Sequence, residues 1–552
     1  MRLEAPRPAW LSCTVMNSQL LLDALVLLAY FGLIVGVGLS QRSKSGSVEG
    51  FALGDRQIAW WAVLASILAA EISAATFLGA PGEGYANRNW TYAQLAIGTI
   101  LARIFVSVVF IPIYYRHGVI SIYEFLETRF GVFSRKLASA VFLVTRVLAM
   151  GTRLYVSAII LVLAVEMFRG GVDPSANEKF WLYAGAVIFV TMLTALYTTV
   201  GGIRAVIWTD FIQVGVLVAA LVFTIPFLLG KIDGGWGTVA QHIQQPVFFD
   251  TVPRLEGEGL GAWFSRMFSL EYTIYAAFLG STFVTMATHG IDQDTVQRML
   301  TAKNRRQSAF ATIVSGLVDL PIVASFILIG LLLWVYYQAN PTPDLPKEGR
   351  EVFPFFILHT MPPGLRGLVT AGILATAMGS LSTALNALAT SFSRDFWLPH
   401  LEKSGILVDE WQRVRVLRQS TVLFASFIIV VGVGTAYFMA KNPNERIIPL
   451  VLGILGFTFG SLLGLFLVAL LTRSRGNDLG NGLGVLAGLI AVLLASGVHV
   501  KFLYPPGTEP SFVLAFPWRI TLGTVVTFAI AILFRTPPDR IEARLAKDAT
   551  NT

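Results

Sequence analysis

The chain has 552 residues, of which 55% are hydrophobic and only 13% are charged, and its mean hydropathy is +0.67. Charged residues are at about half of their usual share, so a soluble protein of this composition could not cover its core. The composition also excludes a disordered chain and a coiled coil, and the single cysteine excludes a disulfide scaffold. We therefore expect an all-α polytopic membrane protein, whose net charge of +8 reflects basic loops beside the lipid bilayer and no nucleic-acid partner.

Apolar segments long enough to cross a bilayer, about 20 residues each, recur thirteen times along the chain. In chain order they lie near 20–40, 59–85, 92–114, 135–168, 178–200, 205–230, 266–290, 308–338, 366–393, 414–440, 447–472, 480–500 and 512–534. The longest polar connections, 231–265 and 339–365, are too short to form a separate soluble domain.

Lysine and arginine residues are concentrated in alternate connections and in the C-terminal tail, which predicts that these segments are cytoplasmic. The N-terminus is then outside and the C-terminus cytoplasmic, in a multi-pass protein of the cell (inner) membrane. Residues 1–18 have no signal-peptide pattern, and either Met1 or Met16 could be the start.

Glycine and proline interrupt two hydrophobic segments, at Gly79–Gly84 and at His289–Gln293. They open two groups of five spans, 59–230 and 266–472, and broken helices at matching positions of two halves indicate an inverted-repeat transporter. Backbone carbonyl groups freed at such a break can coordinate a cation. The remaining assignments are a tail with a first extra helix at 1–58, an extracellular loop at 231–265, and two additional helices with a cytoplasmic tail at 473–552.

Ionisable side chains inside the spans are candidates for function, because an unpaired charge in a membrane is costly. Glu71 is interpreted as a cation or substrate ligand, or else as a carboxyl group bonded to a neighbouring helix. Asp210 is either a cation ligand or an interfacial residue beside Arg204. Arg146 and Arg153 share one helix face; they pair with Glu71 or Asp210, hold a substrate carboxylate, or extend to an interface.

A hydroxyl-rich segment places Thr376, Ser380 and Thr383 on one helix face. This pattern fits either oxygen ligands for a hard cation such as sodium or close packing of helices through small residues. His289 is a proton relay, a substrate ligand or a structural residue beside its helix break. The chain has no Walker phosphate loop, no dinucleotide-binding fingerprint and no His-Glu-x-x-His motif. We therefore expect a protein that is not an enzyme and has no organic cofactor.

Four blocks of sequence follow one another in a specific order. They are Trp60–Ser66 leading into Ala69–Gly79, then Tyr197–Asp210, Asp292–Arg298 and Ser382–Thr390. The second block contains the specific pattern Gly-Gly-x-Arg-Ala-Val-x-Trp-Thr-Asp. Together they resemble the sodium:solute symporter family, which includes bacterial proline, sialic acid and sugar carriers. The resemblance implies a leucine-transporter-type 5+5 inverted repeat with one helix before it and two after it, about 13 transmembrane helices in all.

The resemblance also implies a sodium site, with sodium as the coupling ion. Its ligands would be the carbonyl oxygens of Ala69 and Ile72 together with Thr376, Gly379 and Ser380. Family members usually have a hydroxyl residue where Gly379 stands, so the site is either weaker here or completed by Thr376, water or Glu71. Restoring the hydroxyl in Gly379→Ser is then expected to tighten sodium binding. Some members have a second sodium site, whose ligands Asp210, Ser382 and Thr383 match.

The solute implied by the resemblance is a small molecule, with an anionic or carboxylated one favoured. Ala75 and Thr76 stand where sugar carriers have Glu and Gln, whereas Ser73 and Thr76 match the sialic acid branch. That branch binds a carboxylate through an arginine of the helix that carries Arg146 and Arg153. The candidate substrate-binding residues are Glu71, Ser73, Thr76, Gln94, Arg146, Arg153, His289 and Gln293.

The favoured hypothesis is therefore sodium-coupled symport of a small organic solute by alternating access. One alternative is a proton-coupled carrier in which Glu71 or His289 takes the coupling role. A sugar or polyol symporter is a second alternative, and a non-transporting sensor or channel is a third.

Overall fold

Our computed structural model describes residues 9–41, 46–168, 175–243, 247–441, 447–503, 510 and 512–542. The expectations that concern Met1 and the last residues of the tail lie outside these ranges. Within them the chain is helical, and its β structure is limited to two isolated bridges. Nine of the described helices are long and apolar enough to cross a membrane, and one bent pair of helices is a tenth candidate.

The main helices are numbered here in chain order. They are α1 (Ala9–Ser40), α2 (Trp60–Glu71), α3 (Ala74–Asn87), α4 (Thr91–His117), α5 (Val132–Phe168), α6 (Ala176–Gly230), α7 (276–291), α8 (Gln293–Met299), α9 (Arg305–Ala339), α10 (Leu365–Phe392), α11 (Glu410–Lys441), α12 (Ile447–Leu471), α13 (Asp478–Ala495) and α14 (Phe516–Ala531). Shorter helices lie in the connections, at Val48–Leu53, Tyr123–Arg129, Trp236–His242, Leu260–Ser269, Gly349–Thr360, Leu398–Lys403 and Val498–Leu503.

The first broken helix consists of α2 and α3, whose axes differ by 67°. Ile72 between them is extended (φ −78°, ψ 104°), and Ser73 caps α3. The break expected at Gly79–Gly84 is therefore wrong by about two turns. That stretch is helical, and its glycines serve close packing: a Cβ on Gly84 would lie 2.5 Å from the carbonyl oxygen of Ile327 on α9.

The expected spans 178–200 and 205–230 belong to one element, α6, which bends at Gly202. Gly202 has φ 59° and ψ −150°, a region that is essentially restricted to glycine. A Cβ at this position would also lie 2.6 Å from the carbonyl oxygen of Phe51. The bend therefore divides α6 into two helices, as the two expected spans require.

The second broken helix consists of α7 and α8, which are separated by Asp292 in an extended conformation (φ −92°, ψ 116°). The carboxyl group of Asp292 accepts a hydrogen bond from the amide of Asp294 at 3.1 Å and so caps α8. This break lies inside the expected segment His289–Gln293. The helix before it starts later than the expected residue 266, because Leu260–Ser269 is a separate short helix that ends at an extended Leu270.

Helix α10 lies at the centre of the fold. It contacts α1, α2, α5, α6 and α11, and nearly all of its residues are buried. Small residues let its neighbours approach closely: a Cβ on Gly372 would lie 3.1 Å from the Cβ of Ala220 on α6. This packing holds the hydroxyl-rich part of α10 against the first broken helix.

Candidate ion and solute sites

The first break presents backbone carbonyl groups towards α10. Because α2 ends at Glu71, no helix continues to satisfy the carbonyl groups of its last turn. The hydroxyl groups of Thr376 and Ser380 donate to carbonyl groups of α10 at 2.7 and 2.9 Å, so their oxygens keep lone pairs for a cation. Ala69, Ile72 and Thr376 line a cavity of about 10 Å³, enough for one water molecule or one ion.

Gly379 faces the same break. A Cβ at this position would lie 3.3 Å from the carbonyl oxygen of Ala69 and 2.8 Å from Oε1 of Gln213. Gln213 lies on α6, lines the small cavity and is 2% exposed. The amide oxygen of Gln213 therefore lies beside the one candidate ligand residue that has no side chain.

Glu71 forms an ion pair with Arg103 of α4, which is fully buried. Arg103 also donates from Nη1 to the hydroxyl group of Ser315 on α9 at 2.9 Å. The pairing of Glu71 with Arg146 or Arg153 is therefore wrong. The carboxyl group of Glu71 is bonded to a neighbouring helix, and its role as a cation or substrate ligand stays a prediction.

A cavity of about 240 Å³ borders Glu71. Its polar lining comprises two carboxylates and several hydroxyl groups, from Glu71, Thr76, Tyr92, Thr99, Ser281, Thr285, Thr288 and Asp319. Asp319 on α9 is 7% exposed and has no hydrogen bond or ion pair with any described residue. Nε2 of His289 lies 4.0 Å from Oε2 of Glu71. Of the two carboxylates, only Glu71 is therefore paired with a guanidinium.

Asp210 is fully buried on α6. The hydroxyl group of Ser66 on α2 donates to its Oδ2 at 2.5 Å, and Nε of Arg298 on α8 lies 3.7 Å from the same oxygen. Its Oδ1 has no hydrogen-bond partner among the described residues. The alternative of an interfacial residue beside Arg204 is wrong, because Arg204 pairs with Asp55 at 2.9 Å.

The other two candidate ligands of the second sodium site lie on α10. The hydroxyl groups of Ser382 and Thr383 both donate to the carbonyl oxygen of Gly379 at 3.0 Å. Both side chains are buried, and Ser382 also neighbours the carboxyl group of Asp210. The structure thus brings the three expected ligands to one region between α6 and α10, and their role stays a prediction.

Arg146 and Arg153 differ sharply in their partners. Arg146 contacts the carboxylate of Asp292 and lies 3.3 Å from that of Asp294, so it is neutralised at the second break. Arg153 lies two turns further along α5 and is partly buried. No carboxylate of the described residues is within ion-pair distance of Arg153, and its enclosed Nε has no hydrogen-bond partner there. Of these two arginines, only Arg153 is therefore without a carboxylate partner in the described structure, and its contact with a solute stays a prediction.

The carbonyl groups of the second break are occupied by protein hydroxyl groups. Tyr114 donates to the carbonyl oxygen of Gly290 at 2.6 Å, and Tyr123 donates to that of Ile291 at 3.5 Å. Gln293 uses both ends of its amide in bonds to the backbone of 120–122, at 2.8 and 2.9 Å. These contacts tie the second break to the connection that follows α4.

The remaining solute candidates lie near the first break. Ser73 accepts the amide of Thr76 at 3.4 Å, and Thr76 lines the larger cavity. Gln94 donates from Nε2 to the carbonyl oxygen of Tyr272 at 2.7 Å, while its buried Oε1 has no partner in the described structure. Glu71, Ser73 and Thr76 thus lie at the first break, and Arg146 and Gln293 lie at the second. His289 lies three residues before Asp292 of the second break, yet its Nε2 is 4.0 Å from Oε2 of Glu71, so it lies between the two.

Sequence reasoning missed several polar residues at these sites. They are Ser66, Arg103, Gln213, Arg298 and Asp319. Arg103 and Asp319 are ionisable residues inside expected spans, and that signal alone would have identified them. Gln213 follows Asp210 by three positions and so shares its helix face. Ser66 and Arg298 carry no such signal, because their role depends on the approach of α2 and α8 to α6.

Comparison with known proteins identifies the family. The family model of the sodium:solute symporter family matches residues 51–488. The sodium/sialic acid symporter SiaT of Proteus mirabilis (strain HI4320) is 29% identical over 482 residues, which cover 86% of this chain and 88% of that protein. Sodium-coupled monocarboxylate transporter 1 of Xenopus laevis is 29% identical over 466 residues, which cover 84% of this chain and 68% of that protein.

A solved structure of a Na⁺-coupled sialic acid symporter, substrate-bound and outward-open, has a TM-score of 0.75 to this chain at 24% identity. The match covers 93% of this chain and 97% of that one. It confirms the expected all-α, leucine-transporter-type fold, while the number of thirteen transmembrane helices stays a prediction. Since the family model matches most of its length, the chain belongs to the sodium:solute symporter family and is a sodium-coupled membrane transporter, not an enzyme.

Proposed function

We propose that this protein carries a small carboxylated solute together with sodium by alternating access across the cell (inner) membrane. The observation that carries the choice of solute is Arg153, a guanidinium on a membrane helix without a carboxylate partner among the described residues. The N-terminus lies outside and the C-terminus in the cytoplasm, as the basic connections predict.

A solute carboxylate supplies the partner that Arg153 lacks. Arg153 lies about 10 Å beyond Arg146 along α5, since an α-helix rises 1.5 Å per residue. Arg146 contacts Asp292 at the second break, and Arg153 lies further along the same helix. A guanidinium binds a carboxylate through two parallel hydrogen bonds, and such bonds strengthen away from water. Relatives that transport sialic acid or monocarboxylates support the same class of solute.

Sodium bound at the first break couples the solute to the sodium gradient and the membrane potential, which supply the driving force. The carbonyl groups of Ala69 and Ile72 and the hydroxyl groups of Thr376 and Ser380 are oxygen ligands, which hard cations prefer. Asp210 contributes a carboxylate for a second ion. Each sodium ion that moves with the membrane potential releases about 2.3 kcal/mol per 100 mV.

A two-step experiment tests the proposal. Purified protein is first screened by thermal unfolding against carboxylates, amino acids, sugars and vitamins, in sodium and in potassium, because a ligand of the native state raises its apparent stability. A radiolabelled hit is then offered to proteoliposomes. We expect a carboxylate to be taken up only with an inward sodium gradient. Equal uptake in potassium, or a hit without an anionic group, would contradict the proposal.

The unpaired carboxyl group of Asp319 favours proton coupling as a second candidate function. It faces the cavity of about 240 Å³, and the only guanidinium beside it in the described structure is already paired with Glu71. Protonation would remove its buried, unpaired charge. If this candidate is right, a pH gradient drives uptake without sodium, and Asp319→Asn abolishes that uptake. The first candidate predicts no uptake in a pH gradient alone.

A further inference from the structure

Gly379 lies where the first sodium site would otherwise have a side-chain ligand. The position of a Cβ on Gly379 is 3.3 Å from the carbonyl oxygen of Ala69. Glycine itself offers no side-chain oxygen there. The same position is 2.8 Å from Oε1 of Gln213, which reaches it from a different helix, α6.

The amide oxygen of Gln213 has no hydrogen-bond donor among the described residues. The side chain is 2% exposed, and neither Oε1 nor Nε2 makes a hydrogen bond of good geometry with any described residue. Burying an amide oxygen without a donor costs free energy, and a cation bound to that oxygen would offset the cost. Tyr30 and Tyr197 interact with the amide, but no described group donates a well-formed hydrogen bond to its Oε1.

The cavity beside Gln213 fits a single ion. Gln213 lines it together with Ala69, Ile72 and Thr376, and its volume is about 10 Å³. Apart from Gln213 these residues are three of the five ligands expected for sodium. Calcium, an ion of similar radius, takes oxygen ligands at about 2.3–2.6 Å, and amide carbonyl groups are among them.

We propose that the amide oxygen of Gln213 is a ligand of the sodium ion at the first break and replaces the hydroxyl group that Gly379 lacks. The inference rests on the proposed sodium symport and names a residue of its ion site. The ion then connects three elements, the first broken helix, α10 and α6. Because Asp210 lies three residues before Gln213 on the same face of α6, both ion sites act on this helix.

This ligand changes what a serine at position 379 would do. A Cβ only 2.8 Å from Oε1 of Gln213 forces the amide to move. Gly379→Ser alone therefore exchanges the amide oxygen of Gln213 for a serine hydroxyl group. In contrast to the expectation from the sequence, this single substitution should not tighten sodium binding. The hydroxyl group should help only where the amide oxygen is gone, as in the double variant Gln213→Leu/Gly379→Ser.

Sodium titrations of the purified protein test the assignment. Thermal unfolding is followed as sodium replaces potassium at constant ionic strength, and the half-saturating sodium concentration is compared between variants. We expect Gln213→Leu to raise this concentration at least tenfold, and Gln213→Leu/Gly379→Ser to return it to within about threefold of wild type. A tenfold change corresponds to about 1.4 kcal/mol.

Gln307→Leu is the matched control, because Oε1 of Gln307 is also buried without a described partner but lies away from the break. It should leave the sodium titration unchanged. If Gln213→Leu does not fold, Gly379→Ala replaces it, since its Cβ displaces the amide oxygen without adding a hydroxyl group and should weaken sodium binding.

The outcomes separate this inference from the proposed function. A wild-type protein without sodium-specific stabilisation would overturn both. A wild-type protein that binds sodium and a Gln213→Leu variant with the same half-saturating concentration would overturn the inference alone. Equal weakening by Gln307→Leu would also overturn it, since loss of any buried amide would then explain the effect.

Discussion

The two broken helices occupy matching positions in the two repeats, yet their breaks are filled differently. At the second break, tyrosine hydroxyl groups bind the carbonyl oxygens of Gly290 and Ile291, and Arg146 neutralises Asp292. At the first break, no side chain of the described residues donates to the carbonyl groups of Ala69 or Ile72. The two breaks therefore share a backbone arrangement but differ in their side-chain chemistry, and within the described structure this difference is the reason for placing the proposed sodium ion at the first break.

This difference assigns separate roles to the two breaks. The second is held by the protein itself, so its geometry does not depend on an ion. In the proposed function, a cation completes the first break by joining α2 to α10 and α6. Substitutions at the second break should therefore act on stability, and substitutions at the first on the response to sodium.

The largest effect is expected for Arg146→Gln. It leaves Asp292 buried without its guanidinium, and breaking a buried ion pair from one side costs about 3–5 kcal/mol. Denaturant unfolding in detergent measures this loss. Arg204→Gln, at a partly exposed pair with Asp55, is the control and should cost about 0–1 kcal/mol. A loss for Arg146→Gln no larger than that of the control would contradict the role of Arg146.

Arg153→Gln should show the opposite behaviour on the same helix. Because Arg153 has no ion pair with a described residue, its loss should change stability little. Loss of a charge-assisted hydrogen bond to a solute carboxylate costs about 1.5–3 kcal/mol, or about 10- to 150-fold in affinity. Uptake kinetics in proteoliposomes should show this as a raised KM. An unchanged KM for a carboxylated solute would remove Arg153 from the solute site.

Asp210→Asn tests the second sodium site. Removing the only formal charge among its expected ligands should raise the sodium requirement at least tenfold, since a lost charge partner costs about 1.5–3 kcal/mol. Arg298 retains Asp294 at 3.4 Å, so the variant should fold. If Asp210 only neutralises Arg298, stability falls while the sodium activation curve of uptake stays unchanged.

Thr383→Ala should have the smallest effect. It removes a neutral hydroxyl ligand, which is worth about 0.5–1.5 kcal/mol, so the sodium requirement should rise by roughly two- to tenfold. The same uptake assay measures it. Thr421→Ala, at a buried threonine of α11 that bonds its own helix, is the matched control. If Thr383→Ala raised the sodium requirement more than Asp210→Asn does, the claim that the charged Asp210 is the dominant ligand of this site would be contradicted.

The sequence predicted the class of fold well because composition and four ordered motifs specify it. It misplaced the first break, since Gly79–Gly84 has the residues that usually interrupt helices. The actual break at Ile72 has neither glycine nor proline and depends on the Ser73 cap and on packing. Gly84 allows a close contact with the backbone of α9, and no local sequence pattern reveals this long-range contact.

The charged residues show the same limit of prediction from local sequence. The cost of a charge in the membrane predicts that Glu71 and Asp210 have partners. It does not predict that the partners are Arg103 and Arg298, because these lie on other helices and only the folded chain brings them together. Gln213 was within reach of sequence reasoning, since it shares a helix face with Asp210.

Hydrogen exchange in sodium and in potassium tests the contrast between the breaks most directly. Exchange of backbone amides is followed by mass spectrometry at equal ionic strength, without solute. We predict that sodium slows exchange in 69–77 and 374–383, around the first break, and leaves 287–296 around the second break unchanged. Equal protection of both breaks, or protection of the second alone, would contradict the account that only the first break receives the ion.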